Sequence, residues 1–164
     1  MKDEKSLTHF DYYGAAHLVD ISEKKSTNRI AVAKCRVRML AVTLKLLQDG
    51  NLKKGDVLGV ARIAGIMAAK NTADIIPLCH PLPLSHVSIK FLIISDLCQI
   101  EIESTVKTTG NTGVEMEALT AATVSALTIY DMLKSVDKGI IIEDTRLIMK
   151  DGGKSGLYQN KEKI

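Results

Sequence analysis

All three prolines of this 164-residue chain lie in one short stretch, "IPLCHPLPL" at 76–84. Proline fixes φ and donates no backbone hydrogen bond, so Pro77, Pro81 and Pro83 make the stretch a stiff loop rather than part of a helix or central strand. Cys79 and His80 stand at its centre. Adjacent residues of an extended segment point to opposite sides, which disfavours a cysteine nucleophile activated by the neighbouring histidine. The residue types fit better a loop whose backbone and imidazole line a pocket and are held in place by the prolines.

Elements are expected on both sides of the loop. Residues 1–16 read as a flexible N-terminal arm, 17–158 as a single α+β domain and 159–164 as a polar tail, with a short strand-like run "HLVDIS" at 17–22. The spacing of Ala31, Cys35, Leu40, Leu44 and Leu47 predicts a first helix over 29–50, stopped by Gly50. A turn at Lys54-Gly55-Asp56 precedes an Ala- and Gly-rich helix at 58–71 whose small residues suit close packing. "HVSIKFLII" (86–94) and "QIEIESTVKT" (99–108) alternate as an antiparallel hairpin, with Ile100, Ile102 and Val106 opposite Glu101, Glu103 and Lys107. "TGNTG" (109–113) breaks the second strand. A long helix of strong formers follows at 114–136, then a strand at 139–150 and the glycine-rich "DGGKSG". This order predicts an antiparallel α+β sandwich with helices on one face.

The totals exclude several classes. With 46% hydrophobic and 25% charged residues the chain can bury a proper core. Its 22 basic and 19 acidic side chains leave only +3, evenly scattered, and two Phe, four Tyr and no Trp supply no stacking platform, so nucleic-acid binding is not expected. Cys35, Cys79 and Cys98 form no CxxC pair, which argues against a zinc ribbon or a disulfide framework and for reduced thiols. No apolar leader and no run of about 20 apolar residues is present, so no membrane span is expected and the cytoplasm is the expected compartment.

Chemistry concentrates in three places besides the loop. Asp131 and Lys134 share one face of the long helix; they form either a surface ion pair or a partly buried couple tuned for proton transfer. Glu117 lies on nearly the same face but roughly 20 Å further along the axis at ~1.5 Å per residue. A small substrate cannot touch both, so either the ligand is long or two copies of the chain build one site. Lys53, Lys54, Lys70, Lys150 and Lys154 sit beside chain breaks, where ammonium groups and loop amides together suit a polyphosphate. "DGGKSG" lacks the spacing of a Walker A motif. No metal site is expected, because His9, His17, His86, Cys35 and Cys98 show no ligand spacing with Cys79 and His80.

Three strings carry a family likeness: "KKGDVLGVARIAGIMAAKNTADIIPLCHPLPL" (53–84), "TGNTGVEMEALTAATVSALTIYDMLKSVDKG" (109–139) and "GGKSG" (152–156). They closely resemble the molybdenum-cofactor biosynthesis protein C family, the cyclic pyranopterin monophosphate synthases, and the likeness runs from about His17 to Leu157. The resemblance implies a ferredoxin-like α+β subunit in a homohexamer, a trimer of dimers with active sites at subunit interfaces. It implies conversion of 3′,8-cyclo-7,8-dihydro-GTP to cyclic pyranopterin monophosphate and pyrophosphate. Carried over by position, the catalytic residues fall on Asp131, Lys134 and Lys54, and the substrate contacts on Leu78, Cys79, His80, Glu115, Met116, Glu117 and Lys150. Two positions depart from the pattern: Leu133, where relatives often have Cys, and Asp151, an acid beside a supposed phosphate site.

The implied reaction opens and rearranges a purine-derived ring and closes a cyclic phosphate, all by proton transfer and anion stabilisation. Lys54, Lys134 and Asp131 would act as a coupled acid/base group with one lysine's pKa lowered toward neutrality, and Glu117 would meet the guanine-like edge. No cofactor is required by these residues. Mg²⁺ could assist a diphosphate leaving group, although the sequence has no acidic cage dedicated to it. A non-catalytic pterin- or nucleotide-binding module and a scaffold protein are the alternatives.

Overall fold

The computed structural model of the chain describes residues 9–50 and 55–160. In chain order they form β1 (Thr27–Arg38), α1 (Ala41–Gln48), α2 (Val57–Lys70), a short α3 (Thr72–Ile75), β2 (Leu84–Ile94), β3 (Gln99–Gly110), α4 (Glu115–Leu133), β4 (Ile141–Asp151) and β5 (Tyr158–Gln159). The strands pair antiparallel in the order β2-β3-β1-β4-β5. The path β1-α2-β2-β3-α4-β4, with β1 and β3 central, is ferredoxin-like: an α+β fold whose two long helices pack on one face of the sheet.

The segment 29–50 corrects the expectation of a single helix. It is the central strand β1 followed by α1. Ala31, Ala33, Cys35 and Val37 are fully buried and alternate with Val32, Lys34, Arg36 and Arg38, a period of two that the coincidental fourfold spacing of Ala31 and Cys35 masked. Alanine, lysine and arginine favour helix locally. Pairing along both edges overrides them, from Thr27 opposite Gly110 on β3 and from Ile30 opposite Asp151 on β4. The strand expected at 17–22 is likewise absent, and those residues run as loop and turn.

The other elements lie close to where their periodicity placed them. Asp56 caps α2 by accepting the Gly59 N–H at 2.8 Å. The helix packs against α4 so closely that a Cβ on Gly65 would collide with the Ser125 side chain, the Ile89 side chain and the Ala121 carbonyl. Ser125 Oγ donates to the Ala61 carbonyl across this seam at 3.1 Å. Ile100, Ile102, Ile129 and Leu133 are fully buried beneath it, each contributing about 1.5–3 kcal/mol of hydrophobic stabilisation.

Just past α4, Asp137 turns back toward α1, whose N-terminus lacks a local side-chain cap. Its Oδ2 accepts the Leu40 N–H at 2.9 Å and the Thr43 hydroxyl at 3.2 Å, and its Oδ1 accepts the Gly139 N–H at 2.9 Å. The Leu40 bond, helped by the others, holds this carboxyl below the usual range. At the far end of the chain, Tyr158 and Gln159 pair with Lys150 and Met149, so strand pairing reaches into the segment read as a polar tail.

Candidate active site

β3 ends in "TGNTG", which delivers the chain into α4, while the proline loop leads from α3 into β2. Between these two loops lies a head cavity of about 260 Å³, lined by Leu78, Cys79, His80 and Leu82, by Thr112, Gly113, Glu115, Met116 and Glu117, and by His9, Val19, Ile21 and Lys24. Beside it lies a larger trough of about 700 Å³ at the start of β1 and the end of β4. Lys24, Thr112, Gly113 and Glu115 line both, so the two spaces adjoin.

Glu115 and Glu117 stand in the first turn of α4, where the helix dipole favours negative charge. Glu117 points inward and is 4% exposed. Burial pushes its carboxyl above the ordinary value against a bond from its own backbone N–H, and the Glu115 charge pushes it further. Burial and the nearby Glu117 also raise the Cys79 thiol, which is the opposite of what a thiolate nucleophile needs. His80 Nε2 lies 2.8 Å from the Val19 carbonyl. A carbonyl only accepts, so that ring nitrogen carries a proton. Asn111 Nδ2 donates to the Ile21 carbonyl at 3.2 Å. Through these two bonds the segment containing Val19 and Ile21 is tied to the proline loop and to the end of β3, and it lines the cavity.

In the trough, Arg29 ties the loops together. Its Nε and Nη2 donate to the Gly110 and Asn111 carbonyls at 3.4 Å each, and its Nη1 donates to the Gly152 carbonyl at 3.1 Å. Gly153 has φ +75° and presses on the Arg29 guanidinium, so a Cβ there would overlap it. Lys150 Nζ is 2.8 Å from Glu115 Oε1. Asp151, the acid that departs from the family pattern, accepts the Gly152 N–H at 2.8 Å and so turns onto its own loop. Lys24, Lys25, Arg29, Lys150 and Lys154 face Glu23, Glu115 and Asp151 here, an excess of cations that suits phosphates.

The structure therefore gathers Leu78, Cys79, His80, Glu115, Met116 and Glu117 around the head cavity and places Lys150 beside it. It does not bring Asp131 and Lys134 there. They stand at the other end of α4, bonded at 2.6 Å, with side chains 65% and 53% exposed. The partial burial expected for this pair is not found in the single chain, and its bond to Asp131 raises the Lys134 pKa rather than lowering it. Lys54, the third residue of that group, lies outside the described residues. Sequence reasoning missed Lys24, Lys25, Arg29, Asn111 and Thr112 as lining residues. The Lys24-Lys25 pair was a usable signal, whereas Arg29 was hidden inside the misread helix. Among the described residues no three His, Cys, Asp or Glu side chains gather to hold a metal, and no helix is long and apolar enough to cross a membrane.

A half-open head cavity with a buried carboxyl, beside a trough with an excess of cations in a ferredoxin-like subunit, defines a protein with a small-molecule site. The MoaC family model matches residues 18–153, and the chain belongs to that family. It is 60% identical to the cyclic pyranopterin monophosphate synthase of Dinoroseobacter shibae over 153 residues, covering 93% of this chain and 97% of that one. It is 58% identical to the protein of the same name from Heliobacterium modesticaldum over 156 residues, 95% of this chain and 98% of the other. The Parvibaculum lavamentivorans protein of that name is 56% identical over 157 residues, 96% of this chain and 98% of the other.

Proposed function

We infer that this chain is a cyclic pyranopterin monophosphate synthase of molybdenum-cofactor biosynthesis, a lyase that converts (8S)-3′,8-cyclo-7,8-dihydroguanosine 5′-triphosphate to cyclic pyranopterin monophosphate and pyrophosphate. The observation that carries the inference is that the head cavity adjoins the basic trough and shares four lining residues with it, which suits a purine-derived head joined to a triphosphate. Leu78, Cys79, His80, Met116 and Glu117 hold the head. Lys150 and the neighbouring cations hold the phosphates while the cyclic phosphate closes and pyrophosphate leaves.

Asp131, Lys134 and Lys54 form the acid/base group. Fourteen residues of α4 separate Asp131 from Glu117, roughly 21 Å along the axis, so one copy's pair must act on substrate held in another copy's cavity. A homohexamer, assembled as a trimer of dimers in the cytoplasm with active sites at its interfaces, meets that requirement. Covering the exposed pair on assembly would strip its water and draw a lysine pKa down toward neutrality, as proton transfer requires.

The test is turnover of enzymatically prepared cyclic dihydro-GTP substrate by the parent and by Asp131→Asn, following pterin product and pyrophosphate. Product from the parent and a loss of at least about 100-fold in the folded variant are expected. Tight binding without product from the parent would replace the enzyme with a nucleotide-binding module.

A further inference from the structure

Behind the head cavity lies a smaller one of about 100 Å³, bounded by Lys70, Ala73, Asp74, His80, Pro81 and Glu117 among others. Glu117 and His80 line both spaces and so form the partition between them. At the outer end Lys70 and Asp74 are exposed, whereas Glu117 at the inner end is 4% exposed. The rear cavity therefore runs from solvent to a buried carboxyl, is polar at both ends and has room for a short file of water. A ligand seated in the head cavity covers Glu117 from the front. Any proton the carboxyl then exchanges with solvent has to pass behind it.

We propose that the rear cavity is a water-filled proton path, that Glu117 transfers a proton to the bound substrate, and that Lys70 and Asp74 at the path's mouth are positioning residues. This rests on the synthase reading of the head cavity. In the step, the Glu117 O–H bond breaks and a bond from that hydrogen to a substrate oxygen or nitrogen forms. The carboxylate then takes a proton from a rear-cavity water, which recovers one from bulk solvent. Nothing is oxidised or reduced. The raised pKa of Glu117 agrees, since it keeps the carboxyl protonated at a higher pH than usual. The titratable groups facing the partition are Cys79 and His80 from the proline loop, Lys70 from the end of α2, Asp74 from α3, Glu115 from α4, and Lys24 and His9 from the N-terminal segment.

The experiment uses the whole assembled protein and saturating substrate, comparing the parent with Ala73→Leu, which fills the rear cavity, Ala73→Ser, which keeps it polar, and Asp74→Asn at the mouth. For Ala73→Leu, kcat is expected to fall at least about tenfold with KM within about twofold, and for Asp74→Asn the pH profile of kcat is expected to shift. Ala73→Ser is expected to match the parent. If Ala73→Leu does not fold, the pH profile of Asp74→Asn decides. Unchanged kcat and an unchanged pH profile in the folded variants, beside a parent that turns over and an inactive Asp131→Asn, would overturn the proton path alone. A parent that makes no product would overturn the synthase reading and the path with it.

Discussion

Glu117 in the first turn of α4 and Asp137 just past its end are each only 4% exposed, yet Glu117 sits deeper among protein atoms than Asp137 and their surroundings push the two carboxyls in opposite directions. Asp137 receives two backbone N–H groups and a hydroxyl, so its charge is solvated by the fold. Glu117 has its own backbone N–H against burial and a neighbouring carboxylate. Surface exposure alone therefore does not decide the direction of the shift; depth among protein atoms and the donors delivered to the group decide it together. The acid with the lowered pKa holds α1 in place, and the one with the raised pKa faces the space left for a ligand.

The largest way to break this contrast is functional. Glu117→Gln is expected to lower turnover by about 100-fold while Asp137→Asn stays within about twofold per folded molecule, read from steady-state kinetics of matched folded fractions. Equal losses would mean that the two acids do the same job. Stability should divide the other way: Asp137→Asn places an amide against the Gly139 N–H and is expected to cost about 1–3 kcal/mol in urea denaturation, with Glu117→Gln costing nothing at neutral pH.

A subtler test is the pH dependence of unfolding. Glu117 has its folded pKa raised, so its contribution is complete below the unfolded carboxyl value of about 4.3 and is lost as pH rises through the folded value. Asp137 has its folded pKa lowered, so its contribution is present above about 3.9 and is lost as pH falls through the folded value. Urea midpoints across the acidic to neutral range should therefore lose their decline toward neutral pH in Glu117→Gln, and their acid loss should shrink in Asp137→Asn. The smallest effect sets the baseline: Lys90→Ala on the edge strand β2 removes a loose 4.0 Å ion pair to Glu103 and should leave the thermal midpoint within replicate scatter.

Legibility in the sequence followed the range of the forces involved. β2, β3 and α4 were readable because their buried faces repeat at the period of their own backbone, as Ile100, Ile102 and Val106 do on β3. β1 was misread, because its period of two was masked by the fourfold spacing of Ala31 and Cys35 and by the helical propensity of its Ala, Lys and Arg residues, and pairing with β3 and β4 on both edges decides the matter. The proline loop and Glu117 could be singled out in advance. Arg29 could not, since its role depends on carbonyls at Gly110, Asn111 and Gly152, far along the chain.

By itself, then, the sequence determined the family, the α+β class, the stiff loop carrying Cys79 and His80, and the separation of Glu117 from Asp131 along one helix. These follow from local stereochemistry, from the fixed rise per residue and from motif strings that sit together in the chain. Only the tertiary structure decided that 27–38 is the sheet's central strand, that the head cavity adjoins a basic trough, and that the Glu117 and Asp137 carboxyls are pushed in opposite directions. Each of these depends on which groups from distant segments arrive as hydrogen-bond donors or strand partners, and even the period of two over 31–38 does not say which strands flank it.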